Sequence, residues 1–211
     1  MFDVSKLENW EDFSSYLKEN KIRIDLLINC AGQLPPFDKF ENYSIDDIKQ
    51  IMEINYFSCV YSIKTLLPQL LESSTPGIVN IASSAPLCPI AGASIYSASK
   101  ASLKALTESL IYELRKKCYV SLICPGFTKT DIFRNQDEVD KSKLMNFIST
   151  GSVKMAKKIV KAIARKRKRK VLGKDAKLMD LFYRVCPKTA MRTCNAVLKK
   201  SKIKLFKRVY R

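Results

Sequence analysis

Residues 77–126 read GIVNIASSAPLCPIAGASIYSASKASLKALTESLIYELRKKCYVSLICPG. GIVNIAS (77–83) is an apolar run of strand length, SASKASLKALTESLIYELRKK (97–117) reads as a helix, and YVSLICPG (119–126) is a further strand closed by Pro125 and Gly126. Upstream, IDLLINCAG (24–32) is another strand-length apolar run, ending in small residues and Gly32. Its lack of alternation predicts a strand buried on both faces. Strands alternating with helices of this length imply an α/β fold with a parallel sheet.

Working outward, residues 5–19 place Leu7, Trp10, Phe13 and Leu17 at helical spacing behind a Ser5 cap with Glu8 three residues later. Residues 44–71 start on Ser44, Asp46 and Asp47 as a helix does and run to Leu71, with Pro68 expected to bend or interrupt the helix near its end. Residues 128–150 are polar and mixed, as in a lid. Residues 152–165 predict an amphipathic helix with Val153, Ala156, Ile159, Val160 and Ile163 on one face. The run RKRKRK (165–170) then leads into VLG, read as a final edge strand, and a basic tail.

The 211 residues suffice for one sizeable domain, and 46% hydrophobic with 27% charged residues is the composition of a soluble globular protein. No apolar run approaches the ~20 residues of a membrane-spanning helix, and MFDVSKLENWED is no signal peptide, so a cytoplasmic protein is expected. The seven cysteines form no CxxC pair and no zinc spacing, which predicts reduced thiols and no metal site. Histidine is absent altogether. That excludes Ser-His-Asp and Cys-His pairs and HExxH zinc sites, leaving carboxylate, lysine, thiol or tyrosine for acid/base work.

Tyr96 and Lys100 lie four positions apart, one turn from each other on the same helix face. A phenol titrates near ~10, but a neighbouring cation stabilises the phenolate and pulls that value down. The pair can therefore act as an acid/base group without histidine. Small residues from Ser97 to Ser102 leave room for a ligand or a second helix, and Ser83 stands at the end of the strand thirteen residues earlier. An exposed Tyr and Lys on a surface helix is the plainer reading of the pair taken alone.

NIAS ending in Ser83 followed by YSASK resembles the signature of the short-chain dehydrogenases/reductases. NCAG (29–32) is similar to that family's NNAG turn with Cys30 in place of the second asparagine. MEINYFS sets Asn55 where the family has a helix asparagine, and PGFTKTD (125–131) resembles its PG-x-x-x-T segment. The resemblance implies hydride transfer between NADP or NAD, with a slight preference for NADPH, and a carbonyl or alcohol. It implies Tyr96 as acid/base and Lys100 as the cation that lowers its pKa and binds the nicotinamide ribose. Ser83 would hold the substrate oxygen, and Asn55 would anchor a proton-relaying water. Asn29, Ala31 and Gly32 would lie against the adenine ribose, Asp3 would contact adenine, and Pro125, Gly126 and Thr130 would lie near the nicotinamide and pyrophosphate. Asn55 could instead satisfy a backbone carbonyl at a kink, and Thr130 could simply cap a helix.

The family's glycine-rich phosphate turn has no counterpart here. The six glycines are Gly32, Gly77, Gly92, Gly126, Gly151 and Gly173, and no two are close enough to form one. The expectation is a Rossmann-like doubly wound parallel sheet, incomplete at its N-terminal side: a partial catalytic domain over 1–150 and a basic amphipathic helical region over 151–211 packed on it. A misassigned start codon, a decayed or split gene, or a shortened protein with a new role would each account for this. Residues 151–211 hold 22 Lys+Arg against Asp175 and Asp180, or 22 − 2 = +20, which leaves 16 − 18 = −2 for residues 1–150. Leu178, Met179, Leu181, Phe182, Tyr183 and Val185 among these cations suggest peripheral contact with the inner face of a membrane. Some membrane-associated members of the family this chain resembles carry comparable C-terminal regions and act on long-chain lipid ketones, so the resemblance implies a lipid-like ketone or alcohol as substrate. No specific nucleic acid is expected. The alternative is a catalytically inactive remnant that binds a membrane surface or another anionic partner. Helices near 45–71 and 97–115 would suit a homodimer or tetramer.

Overall fold

The computed structural model describes residues 2–129, 149–201 and 206–210. In chain order, α1 (Leu7–Glu19) leads to β1 (Leu26–Asn29), α2 (Ile45–Met52) and α3 (Ser58–Leu70), then β2 (Gly77–Ile81), α4 (Ser94–Glu113) and β3 (Tyr119–Pro125). The two-residue strands β4 (Thr128–Lys129) and β5 (Thr150–Gly151) pair with each other. They precede α5 (Ser152–Ala164), β6 (Arg169–Leu172), α6 (Lys174–Val185) and α7 (Pro187–Ser201). The main sheet has the order β1-β2-β3-β6, all parallel, with Asn29 opposite Asn80, Ile81 opposite Ile123 and Pro125 opposite Leu172. Helices cover both faces of β2 and β3, as central parallel strands require. Ile78 and Val120 face Ile63 of α3 and Ile111 of α4, while Val79, Ile81 and Ile123 face Met155 and Ala162 of α5. Every residue of β2 is buried, and each of its large apolar side chains contributes roughly 1.5–3 kcal/mol.

Several sequence expectations are corrected. β1 is not buried on both faces: Leu26 and Ile28 are 41% and 46% exposed, while Leu27 packs inward beneath α3. α1 starts at Leu7 without a side-chain cap, because Ser5 donates both its N–H and its hydroxyl to Asp3 Oδ1 (2.9 and 2.7 Å). Trp10 and Leu17 of α1 are buried, whereas Leu7 and Phe13 are exposed.

Ser44 and Asp47 form the capping box that opens α2. The interruption of the 44–71 helix falls at a π-helical turn over Glu53–Phe57, while Pro68 is absorbed into the last turn of α3. The extra residue of a π turn rotates the chain, and here it turns Asn55 fully inward. On α5, Val153 and Val160 point to solvent, and Met155, Ile159, Ala162 and Ile163 make the packed face. VLG does enter an outer strand of the sheet, β6, so residues after 150 complete the same sheet. The expected lid falls largely on residues 130–148, outside the described residues.

Candidate active site

A cavity of about 700 Å³ opens at the C-terminal ends of β1, β2 and β3, where ligands bind in open parallel sheets. Ser83 follows β2, and Tyr96 and Lys100 rise from the first turns of α4. Gly32 follows β1, and Pro125 and Gly126 end β3, so that all six line the one cavity. Burial pushes the Tyr96 phenol up from its ordinary value, and a hydrogen bond with the Ser83 side chain pulls it part of the way back. Burial pushes Lys100 down. The influence on the phenol is therefore that of its burial and of Ser83, where the sequence suggested Lys100.

Lys100 is 3% exposed and donates to the Ile81 carbonyl (3.3 Å). An ammonium has three donors, so two remain beside the cavity. At Gly32 a Cβ would lie 3.1 Å from Lys100 Nζ and 3.2 Å from Asn55 Oδ1, so a side chain there would have to push the lysine or the asparagine by a few tenths of an ångström. Asn55 stands behind this turn. Its Oδ1 accepts from the Gln33 N–H (2.8 Å), and its Nδ2 donates to the Gln33 carbonyl (2.8 Å) and to Ser99 Oγ (3.1 Å). Both amide hydrogens are used, so the side chain braces the turn.

Asn29 also lies behind the cavity, in a buried chain of hydrogen bonds. Ser62 Oγ donates to Asn29 Oδ1 (2.8 Å), Asn29 Nδ2 to Asn80 Oδ1 (2.9 Å) and Asn80 Nδ2 to Thr107 Oγ1 (2.9 Å). Asn80 escaped the sequence reading, although a polar residue inside a buried strand signals a partner. Asp175 escaped it too. Its Oδ2 accepts from the Phe127 N–H (2.7 Å), and a side chain at Gly126 would collide with its carboxylate, so α6 fixes the wall after β3. Burial pushes Asp175 up, offset in part by that N–H.

Ala31 and Asp3 do not line the cavity. The Asp3 carboxylate is exposed and held by Ser5, whose hydrogen bonds push its pKa down. Thr130 lies outside the described residues. Elsewhere the cavity's walls are mainly apolar, with Leu34, Phe37, Ile90, Phe127, Met155 and Ile159 lining it beside Ser84, Thr128 and Ser152. No cluster of metal-ligating side chains occurs among the described residues.

The residues present fit the nicotinamide-ribose end of NAD(P): a buried lysine with spare donors, a phenol and hydroxyl side by side, and a glycine turn pressed on the lysine. The pyrophosphate end has no glycine-rich turn to meet it in this sequence.

The fold has close counterparts among solved structures. A short-chain dehydrogenase from Streptomyces avermitilis superposes with a TM-score of 0.74 at 24% identity, over 95% of this chain and 78% of that one. A short chain dehydrogenase from Burkholderia cenocepacia, solved in complex with NADP, gives 0.75 at 21% identity over 91% and 77%. In sequence, the chain is 32% identical over 143 residues to an uncharacterised oxidoreductase of Staphylococcus aureus, which covers 67% of this chain and 62% of the relative. An Arabidopsis thaliana protein named 11-beta-hydroxysteroid dehydrogenase-like 2 is 33% identical over 187 residues, 88% of this chain and 59% of the relative. The chain thus spans about three fifths of these two relatives. A family model described as short chain dehydrogenase matches residues 1–141, and on that match together with the likeness to the Arabidopsis protein the chain belongs to the short-chain dehydrogenase family.

Proposed function

We propose that the cavity takes the nicotinamide-ribose end of NADPH or NADH beside a lipophilic carbonyl or alcohol, as part of an oxidoreductase. The observation that carries this reading is the convergence of Ser83, Tyr96 and Lys100 on one cavity. When bound, a reduced nicotinamide supplies hydride. The Tyr96 hydroxyl, kept protonated by burial, donates its proton to the carbonyl oxygen, and Ser83 Oγ holds that oxygen in place. Lys100 turns its spare N–H groups to ribose hydroxyls, and Asn55 holds the turn that carries Gly32 against it. The apolar side chains Leu34, Phe37, Ile90, Phe127, Met155 and Ile159 favour a lipophilic substrate. The test is Tyr96→Phe in the full chain, with oxidation of NADPH followed over a series of ketones of increasing chain length. A loss of roughly 10²–10⁴-fold is expected from removing a general acid. Retention of most of the activity would contradict the reading.

A second reading, attachment to an anionic membrane surface, rests on α6. Leu178, Leu181 and Val185 follow one face of that helix and are 68%, 64% and 70% exposed, while Ala176 and Met179 turn to the sheet and the cavity. Lys174, Lys177, Arg184 and Lys188 flank the stripe. Co-sedimentation with phosphatidylserine vesicles is expected at low salt, weakening as salt screens the cations. Leu178→Asp with Leu181→Asp should abolish it, and undiminished binding of that variant would rule the stripe out. Among the described residues, no helix is long and apolar enough to cross a membrane.

A further inference from the structure

We propose that Cys88 and Cys194 form a disulfide, made by exchange with glutathione disulfide, that fastens α7 to the loop between Ser83 and Tyr96. The two sulfurs are 3.8 Å apart although 106 positions separate them in the chain. Cys88 is fully buried and lines the cavity, and Cys194 is half-buried on α7. The contact has support on either side. The next residue, Asn195, accepts from the Ala91 N–H (2.8 Å) and from the Tyr210 hydroxyl (2.9 Å), and Leu198 one turn on packs against the group that contains Leu34, Phe37 and Tyr96. α7 is thus already seated on the 84–93 loop, and its cysteine meets the loop's cysteine. Closing the remaining gap to a bond of about 2 Å needs side-chain rotation and a small backbone adjustment.

The order of events follows from burial. Burial and the neighbouring Cys194 sulfur push the Cys88 thiol up to about 12, which keeps it protonated at neutral pH, so the outer thiol reacts first. The Cys194 thiolate attacks one sulfur of glutathione disulfide. The glutathione S–S bond breaks, a Cys194–glutathione bond forms, and one glutathione leaves with the electron pair. Cys88 sulfur then attacks Cys194 sulfur, the mixed disulfide breaks, and the second glutathione leaves, taking up the Cys88 proton. In sum, two protein thiols lose two electrons and two protons, and one glutathione disulfide becomes two thiols. No sulfur–sulfur contact like that of Cys88 with Cys194 is made by the exposed Cys30 or Cys186 among the described contacts, so the same reagent is expected to give mainly mixed disulfides there.

The test equilibrates the full chain in glutathione buffers of increasing oxidation, quenches with acid, blocks free thiols and maps peptides without reduction. A cross-linked peptide pair holding Cys88 and Cys194 is expected, at ratios where Cys30 and Cys186 are still mainly thiols. The thermal midpoint should rise with the cross-link and fall back on reduction by dithiothreitol. Cys194→Ser should remove both the cross-link and the shift in midpoint and leave Cys88 unmodified. Recovery of Cys194 only as a glutathione adduct, with Cys88 a free thiol in the most oxidising buffer, would overturn the proposal. So would pairing of Cys88 with any other cysteine.

Discussion

At Tyr96, burial raises the phenol's pKa and the Ser83 hydrogen bond offsets part of the rise, so the protonated form persists to higher pH than in a free tyrosine. The proposed carbonyl reduction would use that form. Its rate should stay level in its dependence on this group through neutral pH and fall only above about 10, whereas alcohol oxidation, which needs the phenolate, should climb over the same alkaline range. Stability carries the same sign, since a raised folded pKa gives a contribution that is complete below the unfolded value and lost as pH rises through the folded one. Rate profiles in both directions check this, and a reductive rate that fell between pH 6 and 8 would contradict the assignment of Tyr96 as the acid. Tyr96, Lys100, Ser83 and Gly32 were legible in the sequence because chain neighbourhood and a family signature fix them. The balance of burial over Lys100 in setting the phenol's pKa was not, because burial is a property of the packed site.

Among the elements, the buried chain from Ser62 through Asn29 and Asn80 to Thr107 links α3, β1, β2 and α4 directly behind the cavity. Asn80→Ala would leave the Asn29 amide without its acceptor and Thr107 without its donor, each costing about 1–3 kcal/mol when buried. Denaturant unfolding of that variant should give a loss of about 2 kcal/mol or more, and a loss under 0.5 kcal/mol would mean the chain of bonds is idle. The alternation of strands and helices was plain from apolar runs, and the Ser44 capping box from its spacing. Other features depend on contacts distant in sequence. EINYF contains no glycine or proline to announce a π turn. Leu26 and Ile28 are as apolar as any core strand, yet their face of β1 is left open. Val153 and Val160 looked like core on α5, but the face that fits against Val79, Ile123 and Leu172 is the one carrying Met155 and Ala162.

For the molecule as a whole, the excess of positive charge after residue 150 overlies elements that also shape the site. β6 completes the sheet, Asp175 at the start of α6 holds the Phe127 backbone, and Phe206 is buried against the wall beside Tyr96 and Phe37. Arg169 pairs with Asp180 (3.0 Å) and with Glu108 (3.3 Å), tying β6 to both α6 and α4. The basic region is thus part of the same packed body as the cavity, which composition could not reveal. The fit of the site to the nicotinamide-ribose end can be tested directly on the 211-residue chain. The measurement is a fluorescence titration with NADPH and with NADH, run in parallel on the native chain, Lys100→Met and Tyr96→Phe. Saturable binding that survives in Tyr96→Phe and weakens at least tenfold in Lys100→Met is the predicted result. Folded, monodisperse protein that binds neither nucleotide, or a Lys100→Met variant that binds as tightly as the native chain, would contradict it.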